Sequence, residues 1–526
     1  MLHHFPIFLA LLFVILLLVM IARKLNIAYP ILLVTGGLII GFIPGMPTVN
    51  IPPELIFTIF LPPLLYDAAW HTSWKEFWRW RRVITSFAFL MVFFTAIVVA
   101  LVSVAFIPGF TLALGFLLGG IVSPPDAVSA TAILKQVNIP KRFISILEGE
   151  SLVNDASGLI IFRFALIAVS TGTFVFSQAA TNFFLVIAGG ILIGLAIAVI
   201  FFWLHKVLPT DANTDIIFTL ITPYVMYLVA EQLHVSGVLS VVSGGLFLSV
   251  RSHLFLSQHS RLSGTTVWSA LGFVLNGLVF MLIGLELPVI VNDLGNASIT
   301  QAIGYGVLIT VAVTIVRILC SLGASYFTVF ISRYITVADN RPGWRGPIIA
   351  GWAGMRGVVS LAAALSVPVY ASDGVLFPQR SLILFITFIV ILLTLLVQGL
   401  TLPWLIRIIK VDDRDHFLPV EEQDRKIRKN IARESLEYLH VHHAHAIENN
   451  APLKTLGARW QYEYSMPDNT EEQMDYKKIY INLIEKQRNW LREMNRDISL
   501  DEDVIREHLM MLDIEEEKLR LRYPER

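Results

Sequence analysis

Apolar runs long enough to cross a lipid bilayer, several of them interrupted by charge, limit what this chain can fold into. A membrane-spanning helix needs about 20 consecutive apolar residues. Such runs fall at 5–23, 29–45, 53–70, 83–107, 111–134, 144–171, 181–204, 214–232, 236–250, 266–288, 301–330, 347–370 and 380–409, thirteen in all. With 55% hydrophobic residues, the chain reads as an all-α polytopic membrane protein and not as a soluble domain. The opening Met-Leu-His-His-Phe-Pro has no basic n-region, and the run behind it is long enough to span. It therefore reads as a first transmembrane helix rather than a cleaved signal. Charge divides the chain where hydropathy does. Residues 1–410 hold 21 Lys/Arg against 14 Asp/Glu, whereas 411–526 hold 19 against 26. A mildly basic transmembrane domain, 1–410, is thus expected to precede an acidic, helical cytoplasmic tail, 411–526. The one cysteine, Cys320, excludes an internal disulfide and a multi-cysteine metal site.

The distribution of Lys and Arg sets the orientation. With the loop after the first run placed in the cytoplasm, the loops on that side carry Arg23 and Lys24, then Lys75, Arg79, Arg81 and Arg82, then Lys135, Lys141 and Arg142. They continue with Lys206, with Arg251 and Arg261, with Arg333, Arg341 and Arg345, and with Arg407 and Lys410. The opposite loops carry essentially Arg380 alone. Dropping one of the short runs would put basic loops on both sides. The number is therefore odd, with the N-terminus outside and the tail inside. Trp70, Trp74, Trp78 and Trp80 form an interfacial belt beside a basic loop. Thirteen spans divide as six, a linker and six, and the two sixes then have opposite topology, as in inverted-repeat transporters.

In such architectures the substrate site lies near the midplane, where helices are broken. The fifth run carries Gly119-Gly-Ile-Val-Ser-Pro-Pro-Asp126. Pro124 and Pro125 each remove a backbone donor and clash with the preceding turn. The twelfth run, its counterpart seven spans on, carries Gly351-Trp-Ala-Gly-Met-Arg-Gly357. Two crossed, broken helices are expected, with Asp126 and Arg356 as their central charges. The sixth run adds Glu148-Gly-Glu-Ser-Leu-Val-Asn-Asp-Ala-Ser-Gly158. On a helix, Ser151 and Asp155 stand one turn apart, and Glu150, Asn154 and Gly158 occupy the neighbouring face. Charges at bilayer depth are costly and mark ion or proton pathways. Carboxylate, hydroxyl and carbonyl oxygens suit sodium, lithium or potassium, and no sulfur or imidazole cluster competes. Desolvation disfavours a bare carboxylate, so a proton and a cation would compete for the same oxygens. Arg163 and Arg317 fit either helix packing or a cavity wall. Glu231, His234 and Glu286 fall at outer helix ends.

Glu150-Ser-Leu-Val-Asn-Asp155 is similar to the Glu-Ser-Leu-X-Asn-Asp signature of the first cation–proton antiporter family, the monovalent cation/proton antiporters. Leu61-Pro-Pro-Leu-Leu-Tyr-Asp67 resembles that family's Leu-Pro-Pro-Leu-Leu-Phe-Glu helix. Ser236-Gly-Val-Leu, Leu275-Asn-Gly-Leu-Val-Phe-Met-Leu-Ile-Gly-Leu285, Gly354-Met-Arg-Gly357 and Leu396-Val-Gln-Gly-Leu-Thr-Leu-Pro403 also resemble family segments, in the expected order. The resemblance covers the transmembrane domain and not the tail. It implies a homodimer, with spans 4–6 and 11–13 as a moving core, spans 1–3 and 8–10 as the dimerisation side and span seven as linker. It implies that Asp155 binds cation and proton in turn, and that Asn154 stands where electrogenic relatives carry a second aspartate. Asp126 would hold the cation or neutralise half-helix ends. Ser151 and Asp67 would be further ligands or gate residues, and Glu150 would form a structural ion pair with Arg356. Two departures bear on cation selectivity. The break reads Pro125-Asp126-Ala127 where the family has Thr-Asp-Pro, which leaves the Pro125 carbonyl as a ligand but no threonine hydroxyl. Asp67 is one methylene shorter than the family's glutamate.

The activity implied is secondary antiport of a monovalent cation against protons by alternating access, for pH and sodium homeostasis. Sodium comes first and lithium next. With Asn154 in place of a second acid, one-for-one exchange would be electrically silent. Potassium/proton exchange uses the same site equally well. A channel and a tail-gated sensor are the readings from other classes. No repeated carbonyl filter motif supports the channel, and the intact Asp126 and Asp155 speak for a transporter. No His-Glu-X-X-His or Gly-X-Ser-X-Gly element points to an enzyme. Expected partners are the cation, protons, membrane lipid and a regulatory ligand or protein at the tail. No cofactor or nucleic acid is implied, and the inner or plasma membrane is the expected location. In the tail, His440, His442, His443 and His445 read as a solvated helix face rather than a pH sensor or metal site. Gly457, Pro467, Asp468 and Asn469 suggest a break between two parts.

Overall fold

The computed structural model describes residues 5–25, 27–43, 53–134, 137, 139–172, 176–294, 298–334, 337, 339, 342–370, 376–411, 420–465, 470–495 and 502–523. Lys135, Arg341, Pro467, Asp468 and Asn469, named above, lie outside them. The described residues are all-helical apart from loops and one isolated bridge between Tyr370 and Leu376. They form two compact units, Met1–Asp415 and His416–Arg526.

In the first unit, α1 (Phe5–Leu25), α2 (Tyr29–Gly41) and α3 (Pro53–His71) lead into α4 (Trp74–Phe106). Then come α5 (Leu112–Leu134), α6 (Lys141–Thr171), α7 (Phe176–Val207), α8 (Ala212–Gln232), α9 (Gly237–Phe255) and α10 (Gln258–Leu285). The unit closes with α11 (Ile299–Ile331), the two-part α12 (Arg345–Trp352 and Val358–Leu365) and α13 (Arg380–Ile409). Each of the thirteen apolar runs therefore holds helix. Among the described residues, nine helical stretches are long and apolar enough to cross a membrane. Short polar residues start several of them. The Asp211 carboxylate accepts from the Thr214 N–H at 2.8 Å, and the Ser257 hydroxyl accepts from the Ser260 N–H at 3.0 Å, so each fills an orphan donor of a first turn. Outer faces are apolar: Phe13 and Met20 of α1 and Phe184 and Leu192 of α7 all project outward, as a lipid solvent allows.

Packing brings α5 between α4 and α6, sets α11 against α13, and lays α9 across α7 and α3. The largest apolar core runs from α1 and α2 through α5, α10, α11 and α13. Helix α5 unwinds at 123–126, where Pro124 and Pro125 withhold donors and bias their preceding residues out of the helical region. Helix α12 unwinds at 353–357 without a proline. Two π-turns, Ser86–Met91 in α4 and Thr394–Gln398 in α13, lie within otherwise regular helices, a form often found at functional sites. Both supply polar atoms to the centre, as described below.

The second unit holds α14 (Val420–Asn449), α15 (Ala451–Ser465), α16 (Thr470–Met494) and α17 (Glu502–Arg522). Gly457 does not break the chain; it sits inside α15, where a glycine costs about 1 kcal/mol relative to alanine without ending a helix. One helix also ends between α14 and α15, α15 ends at Ser465 before α16 begins at Thr470, and α14 itself kinks at His443 (φ −135°, ψ 21°). Arg488 of α16 pairs with Asp513 (2.6 Å) and Glu516 (2.5 Å) of α17. Arg522 of α17 reaches Glu463 of α15 at 2.8 Å.

Candidate functional site

The two unwound stretches are joined by one backbone hydrogen bond and one from a side chain. The Asp126 N–H donates to the Met355 carbonyl at 2.7 Å, and Arg356 Nε donates to the Val122 carbonyl at 2.5 Å. Arg356 Nη1 also donates to the Gly354 carbonyl, and the Arg356 N–H donates to Thr394 Oγ1, in the π-turn of α13, at 3.1 Å. A fully buried guanidinium therefore sits where the first parts of α5 and α12 end. A cation there offsets the partial negative charge of helix C-termini. The crossing is close enough to require glycine at 357, because a Cβ there would lie 2.4 Å from Asp126 Oδ2.

Asp126 starts the second part of α5. Its Oδ1 accepts from the Val128 N–H at 3.0 Å and its Oδ2 from the Ser129 hydroxyl at 2.9 Å, so it caps a half-helix whose N-terminus favours an anion. Helix α6 lies alongside. The Ser151 hydroxyl accepts from the Ala127 N–H at 3.2 Å, and Asn154 Nδ2 donates to the Pro125 carbonyl at 3.0 Å. The Ser157 hydroxyl donates to the Ala88 carbonyl, in the π-turn of α4, at 2.5 Å. Gly158 lets the break approach: a Cβ there would meet Pro124 Cγ at 2.8 Å. Asn154 Oδ1 is enclosed and has no hydrogen-bond partner among the described residues.

Asp155 is 7% exposed. Among the described residues its carboxylate has neither a hydrogen bond nor an ion pair, and the Asp126 carboxylate is near enough to repel it. A carboxylate enclosed with no partner of its own is open to a bound proton or cation. The oxygens at hand are those of Asp155 and Asp126, the Ser151 hydroxyl, the Pro125 carbonyl and the unpartnered Asn154 Oδ1. All of these are hard oxygen donors, the kind that monovalent cations prefer.

Five of the expected site residues, Asp155, Asp126, Ser151, Asn154 and Pro125, thus come together. Asp67 joins different neighbours. On α3 its Oδ1 lies 3.2 Å from His71 Nδ1, and its Oδ2 packs over Gly272 of α10. The expected Glu150–Arg356 pair is replaced by another. Arg317 of α11 donates to both Glu150 oxygens, Nη1 to Oε1 at 2.8 Å and Nη2 to Oε2 at 2.9 Å, with both side chains buried. Arg356 lies within electrostatic reach of Glu150 but donates to the carbonyls of Val122 and Gly354. A sequence signal for this existed: Arg317 is the one charge in the run 301–330, and a lone cation at bilayer depth needs a buried acid.

Two further contacts were missed. His205 of α7 and Asp215 of α8 are buried together, Nδ1 to Oδ1 2.9 Å, and the Ser260 hydroxyl of α10 donates to Asp215 Oδ2 at 2.7 Å. Half-exposed Arg163 of α6 pairs with Glu231 of α8 at 2.5 Å, and Glu231 Oε1 accepts from the Gly237 N–H at 3.3 Å. The tail histidines His440, His442, His443 and His445 are exposed, and no metal-holding group of three His, Cys, Asp or Glu occurs among the described residues.

Residues 8–408 match the family described as "Sodium/hydrogen exchanger, transmembrane". The chain is 35% identical over 389 residues to the "Sodium, potassium, lithium and rubidium/H(+) antiporter" of Bacillus pumilus, covering 72% of this chain and 57% of that relative. The chain thus spans little more than half the length of that relative. It is 32% identical over 492 residues to the "Na(+)/H(+) antiporter ApNhaP" of Aphanothece halophytica, covering 90% of this chain and 87% of the other. Its fold is similar to the sodium proton antiporter MjNhaP1 of Methanocaldococcus jannaschii, with a TM-score of 0.61 at 18% identity, over 77% of this chain and 98% of that one.

Proposed function

The chain belongs to the sodium/hydrogen exchanger family, and from that premise we propose that it is a secondary transporter, not an enzyme, which exchanges a monovalent cation for protons across a membrane by alternating access. The observation that carries this reading is the Asp155 carboxylate, buried and unpartnered beside Asp126 where two broken helices cross. Either a proton or a cation neutralises Asp155, and neither can be held while the other is bound. Asp126, Ser151, Asn154 and the Pro125 carbonyl supply the surrounding oxygens. Asp67, on α3, acts at the approach to the site. Asn154 contributes a neutral amide whose N–H is committed to Pro125. If Asp155 alone changes load, the carrier has the same charge in both directions, and exchange is one for one and electrically silent. Strong dependence of the rate on membrane potential would argue for another stoichiometry.

Sodium is the first substrate of this reading. The name of the Bacillus pumilus relative, which includes potassium and lithium, favours potassium/proton exchange as the second. Proton flux in proteoliposomes, with sodium, lithium and potassium added in turn, separates them. Asp155→Asn keeps shape and volume but cannot alternate between the two ligands. It is expected to fold and to abolish exchange with every cation; retained exchange would overturn the reading.

For movement, α4–α6 and α11–α13 travel as one body against α1–α3 and α8–α10, with α7 between them. The Arg163–Glu231 pair joins α6 to α8 and has to part when that face opens. The protein works as a homodimer through the α1–α3 and α8–α10 side, in a plasma membrane, with the N-terminus outside and the tail in the cytoplasm. Its role is pH and sodium homeostasis, and the second unit regulates transport.

A further inference from the structure

A cavity of about 490 Å3 opens between the start of α4, the start of α6, the end of α11 and the first part of α12. None of Asp126, Ser151, Asn154 or Asp155 lines it. Its floor is apolar and buried, formed by Trp80, Phe87 and Ile146, and Ala324 and Phe327 of α11 continue the wall. Its rim is basic. Arg79, Arg81 and Arg82 line it from one turn of α4, together with Arg142 of α6. The one acid in the lining, Asp339, is paired with Arg142 at 3.3 Å. Two of the rim guanidiniums lie over aromatic faces, Arg79 over Trp80 and Arg81 over Trp78; Arg79 also lies 3.8 Å from Glu76, and Arg81 donates to the Trp78 carbonyl at 2.5 Å, contacts that hold both at the mouth.

The depth of the cavity follows from a separate observation. Trp74 and Trp78 are exposed on the first turns of α4, and Phe330 and Tyr334 are exposed at and just beyond the end of α11. Aromatic side chains exposed at helix ends mark the membrane–water interface, and these two sets stand at the ends of α4 and α11, the helices that line the cavity. The walls are wrong for a soluble anion, and the rim is wrong for a neutral hydrocarbon. A molecule with an anionic head and an acyl chain meets both requirements. Basic pockets between membrane helices are suited to such headgroups.

We propose that this cavity binds one anionic phospholipid, with its phosphate at Arg79, Arg81 and Arg82 and the first part of an acyl chain on Trp80, Phe87 and Ala324. The site lies on helices that also hold the buried ion pair. Ile146 is one turn before Glu150 on α6, and Ser321, another lining residue, is one turn beyond Arg317 on α11. An occupied cavity therefore braces α4, α6 and α11 against one another.

The test is native mass spectrometry of the purified full chain, released from micelles that contain phosphatidylglycerol and phosphatidylcholine with matched chains. Wild type is expected to retain one phosphatidylglycerol with a preference of about tenfold or more over phosphatidylcholine. Arg81→Gln combined with Arg82→Gln should remove the preference, and Ala324→Trp, which fills the cavity, should remove the retained lipid. Soluble glycerol phosphate should not compete. Equal retention of both lipids by wild type overturns the proposal. So does an unchanged preference in both variants, or displacement by glycerol phosphate, which would make this a site for free anions. Should a variant fail to fold, the wild-type comparison of the two lipids decides alone.

Discussion

Glu150 and Arg317 meet through two parallel hydrogen bonds in a fully buried place, so each depends on the other. Truncating either strands a charge, at a cost of about 3–5 kcal/mol. Glu150→Ala and Arg317→Ala should each lower expression and the melting temperature in detergent, and the double variant should be less harmed than the sum of the two. Arg356→Ala acts differently, because it removes the donors that serve the Val122 and Gly354 carbonyls. Its expected cost is about 1–3 kcal/mol for each carbonyl left unsatisfied. A melting temperature unchanged in all three variants would contradict this account. At Asn154 the amide N–H donates to the Pro125 carbonyl, and an ionised aspartate there would face that carbonyl with an acceptor. Asn154→Asp should therefore destabilise the protein and, where it folds, make exchange depend on membrane potential. The two effects are read by thermal unfolding and by voltage-clamped liposomes. These residues show how far sequence reaches at this scale. Asp155, Ser151 and Asn154 were legible from their spacing on one helix. The partner of Glu150 was only half legible: Arg317 stands as the one charge in its run, but Arg356 on another helix was chemically adequate too.

At the scale of elements, the two broken helices determine what can be bound. Their breaks differ in make-up: α5 breaks at two prolines, whereas the α12 break has none and carries Gly357 where it passes closest to Asp126. Gly357→Ala would place a methyl 2.4 Å from Asp126 Oδ2. The break has little room to shift, since Asp126 is tied by its backbone to Met355 and by its side chain to Val128 and Ser129. Overpacking of this kind costs about 1–3 kcal/mol, and the expected result is loss of exchange in proteoliposomes from a protein that still reaches the membrane. Wild-type rates would show that the crossing tolerates separation. Away from the crossing, His205, Asp215 and Ser260 tie α7, α8 and α10 together. Nothing in the local sequence announces them, because His205 reads as the end of one helix and Asp215 as the first turn of the next.

At the scale of the whole chain, the two compact units can be tested separately. Truncation after Lys410 is expected to leave exchange in place while altering its pH response or the amount of protein made; complete loss of exchange would assign the second unit a direct part in transport. Within that unit, one carboxyl is expected to respond to acid. Arg520 and Arg488 hold the Glu516 carboxyl below the usual glutamate range. Its contribution to stability is thus present above the ordinary glutamate range and is lost as the pH falls through the lowered native value. Amide protection factors in α16 and α17 should fall there, and Glu516→Gln should remove the dependence.

The sequence by itself determined the membrane-spanning class, the positions of both breaks and the helix face that carries Asp155. Those follow from hydropathy, from prolines at one break and glycines around a lone arginine at the other, and from helical spacing, all of which act over a few residues. Tertiary structure alone decided that Arg317 and not Arg356 pairs with Glu150, that Asp67 sits with His71 and Gly272, and that a basic, apolar-walled cavity opens beside Trp80. These depend on which helices cross and at what depth. Residues far apart in the chain become competitors for one buried partner only once packing has set the distances between them.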